Sequence, residues 1–183
     1  MTEFSDSMTE QTLALAKRIK LLILDVDGVL TDGRLYFDNQ GNEMKTFNTQ
    51  DGQGIKSLMA TGVQVAIITG RSSEVVARRA RELGIDLLIQ GREDKWAALQ
   101  EVFSELNLKT EEIAHMGDDW PDLSIMTRVG LALTVPNAHA SVSEYAHWIS
   151  HRAGGEGAVR DACDLILQAQ GNFEQAIARH TGG

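Results

Sequence analysis

The sequence predicts a doubly wound α/β fold, a parallel sheet with helices on both faces, carrying one β-hairpin insertion. Short apolar runs alternate with helical patterns along the chain, and the connections are short enough to make successive βαβ units. The runs are apolar at nearly every position rather than at every second one, as expected for strands covered on both faces. Ser7-Met8-Thr9-Glu10 has the form of a capping box ahead of Leu13, Leu15, Ala16 and Ile19, so a short leading helix is expected. Strands are expected at Lys20–Leu24, Gln64–Ile68, Asp86–Ile89, Ile113–Met116, Leu131–Val135 and His147–Ile149. Between them, helices are expected at Gly54–Ala60, Ser73–Leu83, Asp94–Leu106 and Pro121–Val129, with Gly62, Gly84 and Gly130 as stops, and a last one at Val159–Gln170. Arg34–Asp38 and Glu43–Phe47, joined by Asn39-Gln40-Gly41-Asn42, break the alternation as a hairpin in the first strand–helix connection. Gly52-Gln53-Gly54 and Gly154–Gly157 read as loops, and the latter, with the tail after Gln170, as candidates for mobility.

A chain of 183 residues is one domain in size, so 1–183 is expected to be a single unit with an extension at 1–18, the hairpin at 34–47 and a tail at 171–183. Hydrophobic residues at 43% and charged residues at 23% exclude intrinsic disorder. Seventeen basic against 26 acidic residues, net −9, is the wrong sign for a general nucleic-acid or anionic-membrane binder. No apolar run approaches the roughly 20 residues that span a bilayer. Met1–Glu10 lacks a basic segment followed by an apolar one, so the cytoplasm is the expected compartment. Cys163 falls in an expected helix and reads as a small buried apolar residue. His115, His139, His147, His151 and His180 show neither helical pairing nor a nearby thiolate, so they read as structural or exposed and no zinc site is expected.

Chemistry gathers at strand ends. Asp25 and Asp27 follow the first apolar run directly, in DVDGVLTDG (25–33), at the edge where open α/β sheets bind ligands. Thr69-Gly70-Arg71 follows the second run, Lys95 lies just beyond the third, and Gly117-Asp118-Asp119-Trp120-Pro121-Asp122 follows the fourth. Two carboxylates ~4 Å apart repel by about 4 kcal/mol at an effective dielectric near 20, so gathering Asp25, Asp27 and Asp118 calls for a cation. Mg²⁺ suits an all-oxygen site, takes one or two carboxylates and leaves room for a substrate phosphate. Singly, each motif has an ordinary reading. DxDG can be a capped turn, Thr69 a strand end, Lys95 a solvated lysine, and Asp122 a carboxylate at the start of a helix with Pro121 in its first turn. Trp120 reads as a packing or rim residue. Order and placement together favour a site.

In that order the residues resemble the haloacid dehalogenase superfamily of phosphatases: DxD, then Thr, then Lys, then an acidic pair. The resemblance implies that Asp25 attacks phosphorus and that Asp27 protonates the leaving alcohol and later deprotonates water. It also implies that Thr69 binds the transferring phosphoryl group, that Lys95 balances its charge, and that Asp25, Asp118 and the Asp27 carbonyl hold Mg²⁺, with Asp119 supporting them. A dehalogenase would have no use for Asp27. The intervals Asp25–Thr69, Thr69–Lys95 and Lys95–Asp118 are each too short for a cap domain. FNTQDGQGIK (47–56), AIITGRSS (66–73), MGDDWPD (116–122) and AGGEGAVRDACDLILQAQG (153–171) narrow the resemblance to the capless sugar-acid phosphate phosphatases of bacterial lipopolysaccharide synthesis. That narrower resemblance implies a homotetramer built through the hairpin, whose Leu35, Tyr36 and Phe37 offer apolar side chains on both faces. It implies sugar-acid contacts from Asp27, Asn48, Asp51, Gly52, Lys56, Arg71, Arg79, Lys95 and Asp119, although arginine is also familiar at position 56. Arg79 has an ordinary alternative as part of the helix-surface group Arg78, Arg79 and Arg81. Three other functions stay open: a phosphatase for a nine-carbon ulosonate phosphate, a phosphorylation-switched receiver module, and an idle assembly domain.

Overall fold

A computed structural model describes residues 9–181. Six parallel strands form one sheet, β1 (Leu21–Leu24), β4 (Gln64–Ile68), β5 (Leu87–Ile89), β6 (Ile113–Met116), β7 (Leu131–Thr134) and β8 (Trp148–Ile149), in the order β5-β4-β1-β6-β7-β8. The strand β1 lies central because all four of its side chains are apolar and buried. Leu22 and Leu24 point into one core with α1 (Glu10–Ala16), α2 (Thr49–Met59), α3 (Glu74–Leu83) and α7 (Ala158–Ala169). Leu21 and Ile23 point into the opposite core with α4 (Lys95–Leu106) and α5 (Trp120–Met126). The chain fills the β4–β5 side first and then crosses to β6, so the strand order reverses at β1. A crevice opens at the carboxyl end of such a switch point.

The hairpin is present but short, with β2 (Tyr36–Phe37) pairing antiparallel to β3 (Glu43–Met44). Asp38 shapes its turn by accepting from the Gln40 and Asn42 N–H groups at 2.9 and 2.8 Å. Leu35, Phe37 and Met44 are each at least half exposed.

Several expectations need correction. The leading helix is capped by Thr9, whose hydroxyl accepts from Thr12 N–H at 3.1 Å; Ser7 and Met8 of the expected capping box lie outside the described residues. The helix α2 starts at Thr49 rather than Gly54, because the Asn48 side chain caps it. Gly52 and Gly54 are therefore helical and not a loop. A Cβ on Gly54 would lie 3.1 Å from Arg160 Cα, so the glycine is what lets α2 approach α7. The tail beyond Gln170 forms α8 (Phe173–Thr181), with Phe173 and Ala176 packed on the core. A short α6 (Ala140–Ser143) was not expected. Cys163 is fully buried, as expected, and burial pushes its thiol well up. Among the described residues no helix is long and apolar enough to cross a membrane.

Candidate active site

The segments that follow β1, β4, β5 and β6 deliver the polar groups of the site. Past β1 the chain makes a wide turn closed by Thr31 N–H donating to the Val26 carbonyl at 3.0 Å, and Gly28 adopts φ +92°. Asp25 opens that turn and Thr69 directly follows β4, both buried. Lys95 is the first residue of α4, whose cap, Asp94, accepts from Ala97 N–H at 3.0 Å. Asp118 and Asp119 follow β6. These residues, with Asp27, Gly33, Gly70, Arg71, Glu93, Pro121 and Asp122, line an open pocket of about 320 Å³.

The Lys95 ammonium is 2.9 Å from Asp25 Oδ1 and 2.6 Å from Asp122 Oδ1. His115, wholly buried on β6, places Nε2 2.9 Å from the same Asp122 oxygen. The other Asp122 oxygen accepts from the Asp118 and Asp119 N–H groups at 3.2 and 3.3 Å. Asp122 thus serves the start of α5, as expected from sequence, and also joins Lys95 to the acidic turn. That second role was not legible, nor was the pairing of His115.

The electrostatics are those of crowded, buried carboxylates at the base of an open pocket. Burial and the Asp122 charge push Asp25 up to about 6, with Lys95 opposing. Burial, then Asp25, Asp122 and Asp119, push Asp118 up to about 7. Burial would raise Asp122 too, but the His115 hydrogen bond and the Lys95 charge outweigh it and hold this carboxyl below the usual range. Lys95 is held above its ordinary value: burial works against the ammonium, and Asp25 and Asp122 overcome it.

Asp25, Asp118 and Asp122 present oxygens within 4.8 Å of one another. Both Asp122 oxygens already have donors, which leaves Asp25 and Asp118 as the carboxylates suited to a hard divalent ion. A Cβ on Gly28 would lie 2.0 Å from Asp118 Oδ2, so the turn must carry glycine for Asp118 to sit against it. The all-oxygen donor set and the raised carboxyls fit Mg²⁺.

The Asp27 carboxylate turns to the pocket mouth. It pairs with Lys45 Nζ from the hairpin, and Arg71 Nε lies 3.8 Å from its Oδ2. Glu43 Oε1 accepts from Arg71 Nη2 at 2.7 Å and stands 3.5 Å from Lys45 Nζ. Sequence reasoning missed Lys45 and Glu43. Their signal was two charged residues, two positions apart, on a strand otherwise read as an assembly element.

The run Gly154–Gly157, a loop and candidate for mobility on sequence, is packed against the turn. Gly154 N–H donates to Asn137 Oδ1 at 2.9 Å, and Gly155 N–H donates to the Val29 carbonyl at 3.0 Å. A Cβ on Gly154 would lie 1.7 Å from the Gly28 carbonyl oxygen.

Of the expected sugar-acid contacts, Asp27, Arg71, Lys95 and Asp119 line the pocket, and the others do not. Asp51 is buried under α7, where Oδ1 accepts from Arg160 N–H at 2.8 Å; burial pushes it up to about 6. Gly52 packs against Arg79, whose guanidinium lies 5.9 Å from the Phe47 ring centre and 3.6 Å from Glu82. Asn48 donates to the Gly155 carbonyl at 3.3 Å, and Lys56 is exposed beside α8. Trp120 is exposed, its indole N–H donating to Ser141 Oγ at 2.9 Å.

Residues 88–160 match the family model for haloacid dehalogenase-like hydrolases, the class that the parallel sheet and acidic turn define. The chain is 44% identical over 169 residues to the 3-deoxy-D-manno-octulosonate 8-phosphate phosphatase of Yersinia pestis, covering 92% of this chain and 90% of that one. A probable YrbI-family phosphatase from Pseudomonas syringae superposes with a TM-score of 0.94 at 54% identity, over 96% of this chain and 99% of that one. The Moraxella catarrhalis 3-deoxy-D-manno-octulosonate 8-phosphate phosphatase, solved with magnesium, phosphate and KDO, superposes with a TM-score of 0.92 at 43% identity, over 94% and 99%. The chain belongs to the 3-deoxy-D-manno-octulosonate 8-phosphate phosphatase family, and it is a phosphoric monoester hydrolase.

Proposed function

We propose that the chain hydrolyses 3-deoxy-D-manno-octulosonate 8-phosphate to the free sugar acid and phosphate, with Mg²⁺ as cofactor, as a step in lipopolysaccharide synthesis. The observation that carries this reading is Asp25 at the floor of the pocket, 2.9 Å from Lys95 and grouped with Asp118. The substrate comes from the named relatives. Arg71 at the mouth supports it, because a guanidinium can donate two parallel bonds to a carboxylate.

In this reading Asp25 attacks phosphorus while the bond to the sugar oxygen breaks, and Asp27 gives that oxygen its proton. Asp27, now a carboxylate, takes a proton from water, which attacks the aspartyl-phosphate, releases phosphate and restores Asp25. Thr69 donates to the phosphoryl oxygens and Lys95 neutralises their charge. Asp25, Asp118 and the Asp27 carbonyl would hold Mg²⁺, which supplies charge neutralisation at the phosphoryl group. Asp119 caps α5, its side chain accepting from Trp120 N–H at 2.8 Å, and so supports the acidic turn. The exposed Leu35, Phe37 and Met44 support assembly of copies through the hairpin; the tetrameric order is what the family resemblance implies.

The test is phosphate release from this substrate with Mg²⁺, compared with Asp25→Asn and with the nine-carbon ulosonate 9-phosphate. Turnover no faster than Asp25→Asn refutes the catalytic assignment. A higher kcat/KM on the nine-carbon substrate refutes the substrate.

A further inference from the structure

We infer that Lys45 is a positioning residue for the proton-transfer step: its ammonium, carried in by the hairpin, holds Asp27 Oδ1 and leaves Oδ2 as the oxygen that meets the leaving alcohol. The inference rests on the acid–base reading of Asp27.

The geometry is specific. Only 2% of the Lys45 side chain is exposed, although the residue sits on a hairpin with half-exposed apolar neighbours. An ammonium taken out of water needs a fixed anionic partner, and the structure supplies two, Asp27 Oδ1 and, at 3.5 Å, Glu43 Oε1. Glu43 in turn accepts from Arg71 Nη2 at 2.7 Å, and Arg71 Nε stands 3.8 Å from Asp27 Oδ2. Two cations and two anions therefore alternate around the pocket mouth.

Within that ring the two oxygens of Asp27 differ. Oδ1 is committed to a buried cation, whereas the neighbour of Oδ2 is farther away and belongs to a side chain about half exposed. Fixing one oxygen aims the other. General acid catalysis depends on that aim, because the proton must lie within hydrogen-bond reach of the leaving oxygen as the P–O bond breaks. When it does, the electron pair of that bond goes to the sugar oxygen, which takes the proton from Asp27.

A group that acts through proton delivery matters in proportion to how poor the leaving group is. A sugar alkoxide needs the proton; 4-nitrophenolate leaves without it. The kcat/KM value reports the steps through release of the leaving group, so it isolates this half-reaction from the later attack of water.

The experiment measures kcat/KM for Lys45→Met, Lys45→Arg, Asp27→Asn and the unaltered protein, at saturating Mg²⁺, on the sugar-acid phosphate and on 4-nitrophenyl phosphate. Lys45→Met is expected to lose about 10- to 100-fold on the sugar substrate, a part of the 10²–10⁴-fold that general acid–base groups supply. On 4-nitrophenyl phosphate it should stay within about threefold, which also shows that the variant folds, and Lys45→Arg should recover most of the loss. Equal losses on the two substrates, or no loss on the sugar substrate, overturn the role of Lys45. If Asp27→Asn itself shows no dependence on the leaving group, the acid–base reading falls and this inference with it. If Asp27→Asn shows that dependence and Lys45→Met does not, only the inference falls.

Discussion

Gly154→Ala is the sharpest probe of how the acidic turn is held. The added methyl would start 1.7 Å from the Gly28 carbonyl oxygen and 2.4 Å from its carbon, and both are backbone atoms, so no rotamer change relieves the overlap. Ordinary C···O contact is about 3.3–3.6 Å, so the loop and the turn must separate by more than ~1.5 Å. Overpacking of this kind costs about 1–3 kcal/mol, which for a domain of this size lowers the melting midpoint by about 2–12 °C. Gly28 follows Asp27 and packs against Asp118, so the displacement reaches the reacting groups. Misplacement by ~1 Å costs about 10²-fold in rate, and kcat/KM should fall by that order. Thermal unfolding and phosphate release measure the two effects. Gly41→Ala is the control: its φ is +83° but nothing lies within 4 Å of the added methyl, so it should lower stability by about 1 kcal/mol and leave the rate unchanged. A Gly154→Ala protein that melts within about 1 °C of the unaltered chain and keeps its kcat/KM would refute the claim that this loop braces the site.

Two further outcomes follow from the buried charges. Asp122→Asn removes the anion that Lys95 and His115 both meet; breaking a buried pair costs about 3–5 kcal/mol, Lys95 keeps Asp25, and a loss near the lower end is expected. The melting midpoint should drop by about 6–12 °C, and an unchanged midpoint would show that the carboxylate charge is not needed there. Metal and proton should also compete. Asp25 and Asp118, raised to about 6 and about 7, retain protons in the folded metal-free chain that the unfolded chain has lost, so their contribution to stability grows as pH falls from about 7 towards 4. The Mg²⁺-induced thermal shift should therefore be largest near pH 8 and shrink towards pH 5. A shift independent of pH would exclude these carboxylates as its ligands.

The strands of the sheet were legible because runs such as Leu21–Leu24 are apolar on both faces, and a run of that length has few other uses. Asp25, Thr69, Lys95 and Asp118 were legible because a strand end is a fixed place, and four such ends meet on one edge. Glycine misled. Gly52 and Gly54 resembled a loop and Gly154–Gly157 a mobile segment, yet these are positions where another backbone or side chain comes too close for a Cβ. Intolerance of a Cβ and freedom of φ look identical in a sequence. The helix at 173–181 was hidden because most of its residues are polar, and its Phe173 and Ala176 gain a core only once α7 is in place. Lys45 was hidden for a related reason: its partner Asp27 lies on another element, and only the fold of the hairpin brings the two together.

In the proposed mechanism Asp25 carries the phosphoryl group. Acid quenching during turnover, followed by peptide mass analysis, tests it directly. A phosphate adduct is expected on the peptide containing Asp25, present with Mg²⁺ and substrate and absent in Asp25→Asn. Full turnover with no adduct at any quench time, or an adduct on another residue, would contradict it.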